Sequence, residues 1–291
     1  LETFTSFTSH IAVRVMKDKR LTYRYLQRAG ISVAEQHVFA QDGIDAAREI
    51  VRKLGSAVVK PVDGNKGRGV SVGVTLETLE DAWAAARAAT SGRLLVEREF
   101  RNGIEARYLV IDGTCVSVVR RIPPHVYGDG QQSVAQLVEA RNAQRRRNPS
   151  IAGRPILIDS HRQHVLRQQG LDMHSVPAAG QLVLIDRKAG LSTGGEPMEI
   201  TADVHPEMLG IAERASRVVP GLDIVGFDIL ALDHGAKPDP SNYIVIEGNT
   251  RPGVSGHTYP SYGPPRNVCR LIAEYCLRRM NGGTTATASS E

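Results

Sequence analysis

Two apolar runs late in the chain constrain its fold more than any other stretch. Residues 224–233 read I-V-G-F-D-I-L-A-L-D, and residues 243–257 read Y-I-V-I-E-G-N-T-R-P-G-V-S-G-H. Both have the look of buried strands. Yet Asp228 sits inside the first run, between Phe227 and Ile229, and Glu247 ends the second. A carboxylate within an apolar strand is costly unless a cation neutralises it. Asn249 follows Glu247 by two positions, and a period of two places both on one face of a strand. Three oxygen donors on neighbouring strands suit a hard dication, and Mg²⁺ is usually held by a few carboxylates together with substrate phosphates. The competing account pairs Asp228 and Glu247 with lysines or arginines. The D…E-x-N set, followed by a Pro-Gly turn, favours a metal held by Asp228, Glu247 and Asn249.

The remaining composition narrows the class. At 291 residues and 41% apolar content, the chain can bury a core as one large domain or two lobes. No apolar run reaches the ~18 residues of a membrane span, and no signal peptide is visible. The first residue is Leu, so the chain reads as part of a longer one. Three cysteines without a C-x-x-C spacing predict a reducing, cytoplasmic setting, with Cys269 and Cys276 on one core-facing side of a helix. A net charge of +5 fits an anionic ligand.

Residues 1–16 show no clear element. Asp18 is placed to cap a helix through Leu26 that Gly30 stops, which puts Lys19 in the first turn, an unfavourable place for a cation. Residues 43–54 repeat apolar residues at helical spacing, and A-V-V-K-P is a short buried strand containing Lys60. Gly64, Gly67 and Gly69 then free the backbone to wrap a phosphate, with Lys66 and Arg68 adding charge. The alternation around this loop predicts a hairpin, which sets aside the helix-opening glycine motifs. G-V-S-V-G at 69–73 matches a nucleophile-elbow pattern, but Ser71 lies in an alternating strand where that motif needs a turn into a helix. A helix over 77–89, a strand at 93–100 and an Asp112-Gly113 hairpin follow. A strand linking two lobes is where a nucleotide base often lies, making Glu97 and Glu105 acceptors for adenine and ribose; the bland alternative is two solvated strand ends. The helix over 131–147 ends in three arginines that read as a solvated terminus. His161 and His164, three apart on the helix over 159–169, read as exposed residues. Strands at 181–200, helices at 205–218 and 265–280, and a mobile tail complete the pattern.

Taken together the pieces resemble the ATP-grasp ligases over nearly the whole length. They come in that family's order: D-K-R-L-T at 18–22, V-V-K-P at 58–61, the glycine hairpin, L-V-E-R-E-F at 95–100, the lone Asp228 and the E-x-N of V-I-E-G-N. G-D-G at 128–130, S-V-P-A-A-G at 175–180, L-S-T-G-G at 191–195 and I-T-A-D-V-H-P at 200–206 resemble the ATP-grasp region of cyanophycin synthetases. T-S-H-I-A-V and E-G-N-T-R-P-G-V-S-G-H look like N-acetylglutaminylglutamine amide synthetases.

The resemblance implies an α+β, two-lobed ATP-grasp fold with ATP between the lobes and the amino-terminal pre-ATP subdomain missing. It implies an amino-terminal segment at 1–16, a small lobe at 17–100, a large lobe at 101–280 carrying the Mg²⁺ site, and a tail at 281–291. Lys19 and Lys60 would bind ATP phosphates, under a loop containing Lys66, Gly67, Arg68 and Gly69. Glu97 and the backbone of Arg98, Glu99 and Phe100 would hold adenine, with Glu105 on the ribose. Asp228, Glu247 and Asn249 would carry Mg²⁺, and Arg120 or Arg121 would stabilise the transferred phosphoryl group. Arg107, Ser192, Thr193, Arg251 and His257 would face the substrates. The implied activity is ATP-dependent joining of a carboxylate to an amine, on amino acids or short peptides, through an acyl phosphate. A polymerising ligase and a non-catalytic ATP-binding domain stand as alternatives. No membrane partner is expected, a homo-oligomer is compatible, and nucleic acid ranks last because no aromatic residues interleave with the basic helix end.

Overall fold

The structure, a computed structural model, describes residues 5–63, 68–191 and 194–281. Ser9 caps α1 (His10–Lys17) and Asp18 caps α2 (Lys19–Arg28), each by accepting backbone N–H groups of the first turn. The expectation of no element before residue 17 is corrected by α1, whose Ala12, Val15 and Met16 form a short buried stripe between polar residues. Next come β1 (Gln36–Phe39), α3 (Ile44–Leu54), β2 (Ala57–Pro61), β3 (Ser71–Val74), α4 (Leu79–Ala89) and β4 (Leu94–Arg98). Then β5 (Ile104–Ile111) turns through Asp112 and Gly113, φ +52° and +74°, into β6 (Thr114–Ile122). That left-handed pair is what an Asp-Gly hairpin turn needs. The chain continues through β7 (His125–Tyr127), α5 (Val134–Arg145), α6 (Ser160–Arg167), β8 (Leu182–Leu184) and β9 (Glu196–Glu199). It ends with α7 (Pro206–Arg217), β10 (Ile224–Ala231), β11 (Tyr243–Asn249), the single turn α8 (Ser255–Thr258) and α9 (Val268–Met280).

These elements group into two compact bodies, one of residues 5–115 with 203–252, the other of 116–202 with 253–281. This division cuts the chain elsewhere than a lobe boundary at residue 100. The first body holds an antiparallel sheet in the order β1-β4-β2-β3. The β2–β3 pairing is the hairpin expected around the glycine loop, and Ser71 opens β3 rather than a nucleophile turn. The helices α3 and α4 cover this sheet, burying Val51, Ala82, Trp83 and Ala86 against Val59, Leu94 and Val96. The same body holds β5, β10 and β11, antiparallel with β10 in the middle. On one side of these strands Tyr108, Phe227, Ile229 and Val245 are fully buried. Gly248 lets α1 close in on that side, because a Cβ there would lie 2.6 Å from Met16 Sδ.

In the second body β6 pairs with β9 and β7 with β8, so the two strands flanking the loop at 185–195 join different partners. Val126, Val134, Leu137, Val138, Leu166 and Val183 form its core beneath α5 and α6. Two sequence expectations are corrected here. Arg145 is no solvated helix end; it is buried, with Nη1 donating to Glu196 at 2.8 Å. Cys269 is exposed and Cys276 half-buried, because the inward stripe of α9 runs through Val268 and Tyr275, one residue earlier. His161 and His164 do lie exposed, near Asp186 and Gln168 respectively.

Candidate functional site

The three strands β5, β10 and β11 present a row of charges on the face opposite their core. Arg107, Asp228 and Glu247 are direct cross-strand partners, so their side chains leave the sheet on the same side. A β-bulge makes this so. Ile229 pairs with Val245 but Asp228 pairs with Glu247, so one extra residue of β11 is accommodated between them. Without it, Glu247 would share the core-facing side of Val245, two residues away. Asn249, paired with Gly226, lies on the charged side with Glu247, as its two-residue spacing predicts. Its Oδ1 accepts the Arg251 N–H at 2.8 Å, which orients the amide at the strand end.

Arg107 grips Asp228 with a fork: Nε donates to Oδ1 at 2.6 Å and Nη2 to Oδ2 at 2.5 Å. The stem of Arg107 lies across Gly226, where a Cβ would come within 3.1 Å of Arg107 Cδ. Burial and then the Asp228 charge push the Glu247 carboxyl above the usual carboxylate range, while Lys19 and Arg107 pull it back. Burial lowers the Lys19 ammonium, and Glu247 opposes that shift. Lys19 opens α2 as anticipated, capped by Asp18 and almost fully enclosed.

A second charged pair lies deeper in the same body. Lys60 Nζ is 2.6 Å from Glu97 Oε2, both side chains about 5% exposed. Tyr23, one helical turn after Lys19, places its ring 5.7 Å under Lys60 Nζ. Burial, and then the Glu97 and Glu247 charges, push the Tyr23 phenol far above its usual range. The Tyr23 hydroxyl and Glu97 Oε1 are buried, and neither makes a hydrogen bond of ordinary geometry among the described residues. A buried acceptor left this way costs about 1–3 kcal/mol. The Tyr23 hydroxyl and the Glu97 carboxylate also act on each other directly.

The fit to a dication rests on the donor set. Two carboxylates stand directly opposed, with an amide oxygen two residues on. That is too few acids for an all-protein cage, and among the described residues no group of three or more His, Cys, Asp or Glu could hold a metal ion. It does suit Mg²⁺, which takes one or two carboxylates and completes its shell with phosphate and water. Around these groups three cations, Lys19, Lys60 and Arg107, stand against three carboxylates, Glu97, Asp228 and Glu247, with Glu105 at the margin.

The other expected site residues are placed as follows. Glu105 lies two residues before Arg107 on the same face of β5 and acts on its charge. The Arg98 N–H donates to Glu35 O at 2.9 Å, and its side chain pairs with Glu35, while Glu99 and Phe100 follow the end of β4. Arg68 and Gly69 lie at the loop's foot, where Gly69, φ +67°, sits so close to α4 that a Cβ there would lie 2.6 Å from Ala89 Cβ. Lys66, Gly67, Ser192 and Thr193 lie outside the described residues. Arg120 and Arg121 are in the second body, on opposite faces of β6, paired with Met198 and Pro197. His257, in the same body, is 2% exposed, with Nδ1 2.8 Å from Ser117 Oγ. Sequence reasoning missed Tyr23 and Gly226. Their only signals are spacing: Tyr23 at i+4 from Lys19, and Gly226 two residues before Asp228.

No protein-family model matches the chain. Against curated proteins, it is similar to the cyanophycin synthetase of Trichormus variabilis, 34% identical over 286 residues, covering 97% of this chain and 31% of that protein. The chain thus spans about a third of the length of the curated relatives it matches. Among solved structures it is similar to a bifunctional glutathione synthetase from Pasteurella multocida, with TM-score 0.69 and 26% identity over 94% of this chain and 38% of that one. The ATP-grasp ligase PsnB, complexed with minimal precursor, Mg and ADP, shares the fold at TM-score 0.52 and 16% identity, over 92% of this chain and 61% of that one.

Proposed function

We start from the fact that this chain belongs to the ATP-grasp ligases, and we propose that it joins a carboxylate to an amine at the expense of ATP. The observation that carries this reading is the row Arg107–Asp228–Glu247 with Lys19, Lys60 and Glu97 in the same compact body. The substrate carboxylate takes the γ-phosphoryl group of ATP as an acyl phosphate, and an amine then displaces phosphate to leave an amide. Such transfer asks for positioning and charge neutralisation, with no side-chain nucleophile.

Asp228, Glu247 and Asn249 would hold Mg²⁺, which when bound neutralises charge on the transferred phosphoryl group. Lys19 and Lys60 offer ammonium groups to the phosphates. Glu97 Oε1 accepts from the base, and the Tyr23 ring steadies Lys60 beneath it. Glu105 is the candidate for the ribose. In the first body Arg251 is a candidate for the substrates and Arg107, released from Asp228, for the phosphates; in the second, His257, Ser192 and Thr193 are candidates for the substrates and Arg120 or Arg121 for the transferred group. The amino-acid or short-peptide nature of the substrates is proposed from the relatives, PsnB among them being complexed with a precursor.

The test is ADP release in a screen of amino acids and short N-blocked peptides with MgATP. Release that requires both a carboxylate and an amine, and that Asp228→Asn abolishes while weak nucleotide binding persists, supports the reading. Normal turnover by Asp228→Asn sinks the metal assignment, and nucleotide binding without any ADP release favours a non-catalytic domain. The similarity to cyanophycin synthetase favours one further version, a polymerising ligase. A mass ladder of products, rather than one adduct, would identify it.

A further inference from the structure

We propose that Arg107 locks Asp228 against divalent cations until a nucleotide's phosphates draw its guanidinium away, which makes metal capture depend on nucleotide. This rests on the metal site proposed above and concerns how that site is regulated.

The lock is visible in the geometry. Both Asp228 oxygens accept from one guanidinium, at 2.6 and 2.5 Å. The pair is shielded, with side chains 14% and 6% exposed. A dication bonded to either oxygen would stand within a few ångströms of that guanidinium, and little water is present to screen the repulsion. Metal and fork therefore compete for the same carboxylate. Arg107 is also built to rest there. It is the direct cross-strand partner of Asp228, and Gly226 leaves the channel its stem occupies, 3.1 Å from Cδ and 3.5 Å from Cγ to a notional Cβ.

The release follows from the neighbours. Glu247 and Glu105 act on Arg107, so its charge is already shared among several acids along this face. A polyphosphate between Lys19, Lys60 and Arg107 supplies a second anionic partner of higher charge. The guanidinium then trades one anion for another, a fork being as well matched to phosphate as to carboxylate. The dication takes the vacated side of Asp228. Nucleotide and metal thus bind with positive coupling, and each strengthens the other by the same factor.

The experiment measures Mn²⁺ binding to the full chain, by calorimetry and by the electron paramagnetic resonance of free Mn²⁺, with and without ADP. In the unsubstituted protein ADP should tighten Mn²⁺ by about tenfold or more, in the range typical of such coupling. Arg107→Met removes the competing charge, so Mn²⁺ alone should bind about tenfold tighter than to the unsubstituted protein, with the ADP effect largely gone. Structural damage would weaken binding, so a gain is the discriminating sign. If Arg107→Met does not fold, Arg107→Lys carries the test. It keeps the charge but cannot span both oxygens, and should bind Mn²⁺ alone severalfold tighter than the unsubstituted protein. Unchanged or weaker nucleotide-free binding in the folded variant overturns the lock. Should Mn²⁺ bind in none of these proteins even with ADP, or survive Asp228→Asn undiminished, the metal site itself is wrong, a separate failure.

Discussion

Arg107, Asp228 and Glu247 are a buried or half-buried row of charges, plus, minus, minus, and removing different members should have unequal costs. Arg107→Met breaks the fork and leaves two opposed carboxylates facing each other. Losing one partner of a buried pair costs about 3–5 kcal/mol. Asp228→Asn breaks the same fork but also ends the repulsion with Glu247. Directly opposed side chains have Cβ atoms about 4.5–5.5 Å apart, and two like charges at that separation repel by about 3 kcal/mol at an effective dielectric near 20. The net loss for Asp228→Asn is then about 0–2 kcal/mol, some 3 kcal/mol less than for Arg107→Met. Lys19 acts on Glu247 in both variants and largely cancels in the comparison. Urea denaturation at pH 7 in a chelator, followed by circular dichroism, gives the two losses. An Asp228→Asn loss equal to or larger than that of Arg107→Met would refute the account of Glu247 as a carboxylate under pressure from its neighbour.

Three other outcomes are expected. Glu196 takes Arg141 Nε at 2.9 Å and Arg145 Nη1 at 2.8 Å, so Glu196→Gln should cost about 3–5 kcal/mol at pH 7 by leaving two enclosed arginines without their counter-charge. Burial opposes the Glu196 charge but the arginines prevail and hold the carboxyl below its ordinary value of 4.5. Its contribution is therefore present above about pH 4.5 and lost as pH falls through the lower folded value, and the gap between the two proteins should narrow there. Gly69→Ala forces a left-handed backbone costing about 1–2 kcal/mol and a 2.6 Å approach to Ala89, so its midpoint in urea should fall; an unchanged midpoint would mean the loop's foot does not pack on α4. In thiol labelling of the native protein, Cys269 should react fastest and Cys115 slowest, and a fast Cys115 would contradict its burial.

Much of this arrangement was legible because it breaks local rules. Asp228 stands out as a charge where the strand pattern asks for an apolar residue, and Lys19 as a cation where the helix dipole disfavours one. Each violation implies a distant compensation, and the structure supplies it in Arg107 and Glu247. What a violation cannot disclose is the partner's identity. Nothing in one strand says that the residue opposite Asp228 on the next is cationic. Arg145 shows the same limit. A cation at a helix end is cheap on dipole grounds, so no anomaly announces that Glu196, 51 residues away, has drawn it inward.

Phase is the other quantity the sequence carries poorly. The α9 stripe has the spacing assigned to Cys269 and Cys276, yet it is Val268 and Tyr275 that are buried, because two apolar sets one residue apart fit a heptad equally well. On β11 a strict period of two would send Glu247 to the side of Val245, into the core. The bulge shifts the phase, and Y-I-V-I-E-G-N has no composition that marks where an extra residue is taken up. The compensation argument settles it instead. A carboxylate cannot share the side of Tyr108, Phe227 and Val245 without a cation there, while across the sheet it has Lys19 and Arg107. The electrostatic cost of the wrong phase exceeds the cost of one disrupted ladder position, so the strand bulges. Asp228 and Glu247 are opposed for that reason, on the side where Lys19 and Arg107 can act on both.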